Sequence, residues 1–400
     1  MSGPIASVVT ADLIYVKDRL ESGLGVGFDA AGQVVSVSPL DAFVGYPRHT
    51  LRDRALFPGF VNTHSHAFQR LIRGRTLTVP IHDRRADFWS WRTRMYEAAC
   101  ALTADDVETV TAFCYLEMLQ AGITSVAEFH YLHHDLEGRP YSDRNELAHR
   151  VMRAAQRVGI RLTLLPVAYH RGGFDRPAEA AQRRFLSNDP DTFLQQVEAL
   201  VNERDAQPDP GLRIGLAAHS VRAVPEPWLP SLKAFGVAHG LPVHVHASEQ
   251  RSEVEQCLAA TGLRPIQLLE RTGFLDADTV VVHATHLSGL EKAILGRRGA
   301  TVSVCPTTER DLGDGILDAA GLQARGVPLC LGSDSQVQID FFAEMRCLEG
   351  HERLRRRRRN VLLADRPGAE PSIAPYPVSY THLRAHETKA NLVCRLLLEK

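Results

Sequence analysis

Lysine is nearly missing from this chain. Only five of its 46 basic residues are lysines, and none lies between Lys17 and Lys233. Any chemistry that depends on a lysine in that stretch is therefore excluded. Net charge is missing too: 47 acidic residues offset the 46 basic ones and leave −1, so there is no electrostatic case for nucleic acid as a partner. No apolar run reaches about 18 residues, so no transmembrane helix is expected. The opening stretch MSGPIASVVTADLIYV has no basic segment followed by an apolar one, so no signal peptide is expected either. The seven cysteines (100, 114, 257, 305, 330, 347 and 394) are scattered, odd in number and contain no CxxC pair. That usage predicts reduced thiols in a cytoplasmic protein rather than a disulfide framework. No glycine-rich phosphate loop follows the first candidate strand of the main domain, which weighs against an open dinucleotide-binding sheet.

What is present is an ordinary globular balance, 44% hydrophobic and 23% charged, which argues against disorder. Residues 1–57 read as short strands, SVVTADLIYV, GVGFDAAGQVVSV and TLRDRALFPG, and predict a small β-domain without recognisable chemistry. From 58 onward, β-rich runs alternate with amphipathic helical patterns such as DDVETVTAFCYLEMLQAG and SEVEQCLAATG. The candidate strands are 57–64, 124–131, 161–170, 213–220, 242–248, 279–285, 301–306 and 329–335. Eight βα units predict a closed parallel barrel, a (β/α)8 fold of the TIM type, over residues 58–365. The basic run LRRRRRN, 354–360, ends the last helical pattern. Its reading is a solvated helix C-terminus, where positive charge is favoured, ahead of a nucleic-acid patch.

Histidine is plentiful, with 18 residues, and several end apolar runs. In a barrel the C-terminal strand ends converge on the face that carries active sites. His64 and His66 follow the first strand at i and i+2, a spacing that points both imidazoles the same way along an extended chain. His246 ends the fifth strand, with His244 deeper on the same face and read as packed. His283 ends the sixth. Asp334 ends the eighth, where burial would cost several kcal/mol without charge or metal to pair with it. Glu249, three residues past His246, is within reach of the reacting centre. Three histidines and a carboxylate suit zinc, and iron or manganese fit the same residue types. A bridged two-metal site would want a lysine or carboxylate near the fourth strand, which ends Ala217-Ala218-His219-Ser220. One divalent ion is therefore expected, with His64, His66, His246 and Asp334 as its ligands.

The strings PGFVNTHSHAFQR, HVHASEQ, VVHATH and GSDS resemble the amidohydrolase superfamily. More narrowly, THSHAFQR, DFWSWRTRMY, TSVAEFHYLHHD, GRPY, LTLLPVAYHRGGF, AAHSVRAV, HASEQ, HATHLS, CPTTE, LGDGI and GSDS run in order over roughly 57–360 and are similar to the formimidoylglutamate deiminases. The resemblance implies metal ligation by His64, His66, His246 and Asp334, and catalytic roles for Glu249, His283 and Asp334. It implies substrate contacts from Gln69, Arg92, Tyr131, His219 and Arg222. It also implies a β-domain completed by a C-terminal segment. Two positions depart from the family pattern and bear on substrate affinity. Asp311 stands where an asparagine is usual, and Gln336 where a histidine is usual.

The implied reaction is hydrolysis of N-formimino-L-glutamate to N-formyl-L-glutamate and ammonia, in histidine degradation. A metal lowers the pKa of bound water to about 7. His283 and Asp334 would accept its proton, and Glu249 would carry protons to the amidine nitrogen and the departing ammonia. Arg92 and Arg222, each in an otherwise apolar or aromatic string, suit a dicarboxylate, because guanidinium binds carboxylate through two parallel hydrogen bonds. Trp89 and Trp91 read as packing. The alternatives are another deaminase or amide hydrolase of the superfamily acting on an anionic substrate, or an inactive metal-binding remnant. Dimers are common in the family, although no interface is legible in the sequence. Residues 366–377 read as a linker. The last 23, VSYTHLRAHETKANLVCRLLLEK, resemble a translated sequencing-adapter artefact and are expected to be foreign to the fold, leaving the β-domain incomplete.

Overall fold

The computed structural model describes residues 4–16, 19–76 and 87–362. The expected linker and tail, 366–377 and 378–400, lie outside the described residues. The chain opens with five strands: β1 (Ser7–Val16), β2 (Arg19–Glu21), β3 (Leu24–Phe28), β4 (Val34–Pro39) and β5 (Arg48–Leu56). They form one sheet in which β1 pairs antiparallel with β2 and β3, and parallel with β5. Its small core is Ile14, Val26, Leu51 and Leu56. The expected boundary between 57 and 58 falls in the short connection between this sheet and the next strand.

The second sheet holds nine strands: β6 (Phe60–Ser65), β7 (Ile123–His130), β8 (Arg161–Ala168), β9 (Leu212–Ile214), β10 (Leu216–Ser220), β11 (Val243–Ala247), β12 (Thr279–His283), β13 (Thr301–Val304) and β14 (Leu329–Leu331). All its ladders are parallel, in sequence order, with β9 a short strand beside β8 just before β10. The eight expected barrel strands are all there. They are apolar and β-branched, and β11, β12 and β13 are buried at every position, as a parallel sheet covered on both faces requires.

Helices cover the outside because their sequences cap and pattern themselves. Thr103 and Asp106 form a reciprocal capping box at the start of helix Ala104–Gln120. Helix Glu146–Val158 buries Leu147, Ala148, Val151, Met152, Ala154 and Ala155 on one stripe. The basic run ends helix Phe341–Arg356, where Arg353 pairs with Glu349 and Arg356 with Glu352 and Asp318. Those pairings favour the helix-end reading.

The barrel closes without a ladder between its first and last strands, β6 and β14. Among the described residues one backbone bridge, Ser65 to Asp334 just past β14, joins their ends, with the Asp334 N–H donating to His64 O and the His66 N–H to Asp334 O, both at 3.0 Å, and Thr63 Oγ1 donates to Leu331 O at 2.8 Å. Gly332 permits this approach: a Cβ there would lie 2.7 Å from His64 Cβ and 3.0 Å from Cys305 Sγ. Among the described residues, no helix is long and apolar enough to cross a membrane.

Candidate metal centre and active site

The polar strand ends meet at the C-terminal mouth of the barrel. His64 Nε2 lies 3.1 Å from His66 Nε2 and 3.0 Å from His246 Nε2. Asp334 Oδ1 lies 3.3 Å from the Nε2 atoms of both His64 and His66. All four side chains are buried. Two tautomers follow from the surroundings. His66 Nδ1–H donates to Phe129 O at 3.0 Å, and His246 Nδ1–H donates to His219 O at 2.9 Å. Each of these two therefore presents an Nε2 lone pair to the centre, beside the Asp334 carboxylate and the Nε2 of His64, whose buried Nδ1 has no partner among the described residues. A cation is the group that satisfies such a set, and outward N–H bonds of this kind are what orient metal-binding imidazoles.

Protonation fits as well. Burial lowers the pKa of all three histidines, taking His66 to about 3. Burial opposes ionisation of Asp334, but the hydrogen bond from His64 and the surrounding histidine charge outweigh it and hold the carboxyl below its usual range. Neutral imidazoles and an ionised carboxylate are the forms that bind a metal. His244 is buried on β11 and does not join this group of donors.

The residues expected to be catalytic, His283 and Glu249, lie beside the donors. His283 Nε2 is 3.6 Å from Glu249 Oε1 and 3.8 Å from Asp334 Oδ2, while its Nδ1 faces Glu309 Oε1 at 3.3 Å. Burial alone would lower the pKa of His283, but Glu249, Glu309 and Asp334 together raise it well above its usual value. Glu249 is pushed up to about 7, mainly by burial, with the His283 charge opposing. Glu253 holds the Glu249 loop by accepting the N–H groups of Ser248 and Glu249 at 3.2 and 3.1 Å. Ser248, His283, Ala284, Asp334 and Gln336 all have positive φ, from 48° to 70°. Non-glycine residues take that conformation at a cost, and such strain gathers at functional sites.

The five expected substrate-contact residues line the same mouth. Gln69 Nε2–H donates to the Tyr131 hydroxyl at 2.8 Å, and its buried Oε1 has no partner among the described residues. His219, its pKa lowered first by burial and then by Arg222, lies with its ring 5.1 Å from that of His246. Arg92 and Arg222 each carry a buried Nη1 without a hydrogen-bond partner, and neither has an ion-pair partner among the described residues. They share one platform. The Trp89 ring lies 4.5 Å from the Arg92 guanidinium and 5.9 Å from that of Arg222. Trp89 was expected only to pack, and instead fixes two cations against one ring. Trp91 packs on the core as expected.

Several supporting groups escaped the sequence reading. Glu309 sits in the CPTTE string without an evident role, and Glu253 lies one helical turn past Glu249 with nothing to distinguish it from a surface acid. Tyr96, Tyr169 and Gln182 join hydroxyls and amide below Arg92, with Gln182 Nε2–H donating to Tyr169 at 2.5 Å and to Tyr96 at 3.1 Å. Asp311 is exposed on the helix after β13, and Gln336 is fully buried behind the turn that carries Asp334.

Comparison with known proteins agrees with this geometry. The sequence profile of the amidohydrolase family matches residues 55–374. A formimidoylglutamate deiminase of Pseudomonas aeruginosa is 43% identical over 312 residues, 78% of this chain and 67% of that one. A 5-methylthioadenosine/S-adenosylhomocysteine deaminase of Haloarcula marismortui is 27% identical, covering 86% of this chain and 70% of its own. Among solved structures, an amidohydrolase from Brucella melitensis superposes with a TM-score of 0.84 at 37% identity, covering 93% of this chain and 81% of its own. An adenosine deaminase from Xanthomonas campestris, solved with bound zinc, shares the fold at a TM-score of 0.75 and 24% identity, over 90% and 77% of the two chains.

Proposed function

The chain belongs to the amidohydrolase family, and on that premise we propose that it hydrolyses N-formimino-L-glutamate to N-formyl-L-glutamate and ammonia. The observation that carries this reading is the pair of guanidinium groups, Arg92 and Arg222, each with a buried Nη1 lacking a hydrogen-bond partner and both near the Trp89 ring. Two unpaired cations beside one ring call for two anions, and a dicarboxylate supplies them. A purine substrate would leave both unpaired.

His64, His66, His246 and Asp334 would hold one divalent ion, with zinc the best match to three imidazoles and a carboxylate. When bound, such an ion supplies hydroxide at neutral pH and draws electron density from the bond under attack. The rest belongs to the protein. Arg92 and Arg222 bind the two carboxylates and aim the formimino group, HC(=NH)–NH–, at the histidine cluster. His283, faced by Glu309 at Nδ1 and by Glu249 and Asp334 at Nε2, is held charged beside the reacting group and steadies the carboxylates, which take up the proton of the attacking water. Glu249 moves protons to the amidine nitrogen, so that the C–N bond breaks to release ammonia and the carbonyl of the formyl product forms. A carboxyl with a pKa near 7 both gives and takes a proton at neutral pH, as that role demands. Gln69, Tyr131 and His219 complete the pocket wall as hydrogen-bonding groups.

The test is ammonia release from N-formimino-L-glutamate, with N-formiminoglycine and a nucleobase as controls. Release from the dicarboxylate, abolished by chelator, is the expected result. A folded, zinc-loaded protein that releases nothing from it would refute the assignment. A homodimer is part of the same reading, checked by light scattering.

A further inference from the structure

Gln336, one of the two positions that depart from the family pattern, turns its side chain into a buried chain of hydrogen bonds beside His64, His66 and Asp334. Its Nε2 donates one hydrogen to Ser65 Oγ at 2.9 Å and the other to Asp334 O at 2.8 Å. Its Oε1 accepts from Ser333 Oγ at 2.8 Å. Ser333 in turn accepts from Asn62 Nδ2 at 2.6 Å, and its N–H donates to Asn62 Oδ1 at 3.0 Å. At the other end, Ser65 Oγ donates to Glu128 Oε2 at 2.7 Å, and Glu128 Oε1 accepts the Ala67 N–H at 2.6 Å. Asn62, Ser65, Glu128, Ser333 and Gln336 are all buried.

Counting hydrogens shows what this circuit needs. Both amide hydrogens of Gln336 and its carbonyl oxygen are used, and each serine hydroxyl gives its one hydrogen and accepts another. A neutral imidazole offers one donor and one acceptor, so it could not make all three contacts. The circuit links Ser65, which lies between ligands His64 and His66, to the turn that carries ligand Asp334. It does so at the seam where, among the described residues, one backbone bridge joins the ends of β6 and β14. Asp334 and Gln336 have φ of 48° and 62°. Strained backbone of this kind persists only where its surroundings over-determine it.

We propose that Gln336 is a positioning residue for the metal centre: its amide clasps the His64–His66 turn to the Asp334 turn and thereby sets the affinity of the site for its ion. The inference rests on the metal reading above, which the unaltered protein tests separately.

The experiment measures zinc affinity of apo-protein by competition with a chromophoric chelator, alongside melting temperature and steady-state kinetics of the zinc-saturated enzyme. Gln336→Ala is expected to weaken zinc binding by about 10- to 100-fold, the range for groups that orient ligands. It should lower kcat and change KM by less than about twofold. Gln336→His should recover much of the lost affinity, since a ring nitrogen restores one of the donors. Ser65→Ala, a smaller change, should weaken zinc in the same direction, and the double variant should lose less than the sum of the two. Ser65→Ala alone decides the matter if Gln336→Ala does not fold. Unchanged zinc affinity in a variant that merely melts earlier would overturn the inference. An unaltered protein that binds no zinc would overturn the metal reading and this inference with it.

Discussion

Replacing Arg222 by alanine isolates one half of substrate recognition. Arg222 is 7% exposed, and its buried Nη1 has no partner among the described residues. A guanidinium that meets a carboxylate with two parallel bonds makes two charge-assisted hydrogen bonds, each worth about 1.5–3 kcal/mol. Water entering the vacated space recovers part of that. A loss of about 3 kcal/mol is therefore expected, which at 1.36 kcal/mol per factor of ten is roughly 150-fold in kcat/KM. The contact is made equally in the bound substrate and the transition state, so the loss should appear mainly as a raised KM. Arg92→Ala should behave alike, because both arginines lean on Trp89. N-formiminoglycine has one carboxylate, so it should separate them. With that substrate, one variant should lose the full amount and the other less than about threefold. Ammonia release from both substrates is the assay. Undiminished kcat/KM for Arg222→Ala on N-formimino-L-glutamate, or equal losses in both variants on N-formiminoglycine, would refute the division of two carboxylates between two arginines.

Four further outcomes are expected. Glu249→Gln should lower kcat by about 10²- to 10⁴-fold, with zinc content unchanged by metal analysis. Because Glu249 keeps its proton up to about pH 7 in the fold but only to about 4.5 when unfolded, the wild type should lose stability as pH rises between those values. Glu249→Gln should therefore raise the melting temperature of metal-stripped protein at pH 8 and leave it nearly unchanged at pH 4, and an equal shift at both would contradict the assigned titration. Gly332→Ala, whose Cβ would meet His64 Cβ at 2.7 Å, should cost about 1–3 kcal/mol by overpacking and weaken zinc binding, as read by thermal melts and metal content. Zinc at 1,000 times its dissociation constant should stabilise the fold by about 4 kcal/mol, at one ion per chain, and two ions per chain by elemental analysis would exclude the single-metal site.

Much of this was legible in the sequence because barrel strands announce themselves. Runs such as TVVVHAT are short, β-branched and end in a polar residue, so strand, burial and site coincide in a few letters. The four proposed ligands could be named for the same reason. What could not be read is whatever depends on two distant segments meeting. Glu309 looks like any helix acid until His283 is placed beside it. Trp89 looks like packing beside Arg92, one helical turn on, until Arg222 arrives at the same ring from a distant strand end. The contacts of Gln336 depend on Ser65 and Ser333 together, and its departure from the family pattern gave no hint of them. Four strands of the N-terminal sheet fall in the three strand-like runs, but β2 and the parallel pairing of β1 with β5 were not legible.

The seam between β6 and β14 also has a kinetic side. Asn62 and Ser333 are 271 residues apart in the chain, so bringing them together costs about 5 kcal/mol of loop-closure entropy by the logarithmic law. Contacts of such long range form late. An unfolded or half-built barrel holds the His64–His66 pair but lacks the full set of donors, which exists only after the last strand has docked against the first. Zinc uptake during refolding is then a clock for ring completion, and it should lag the recovery of secondary structure rather than accompany it.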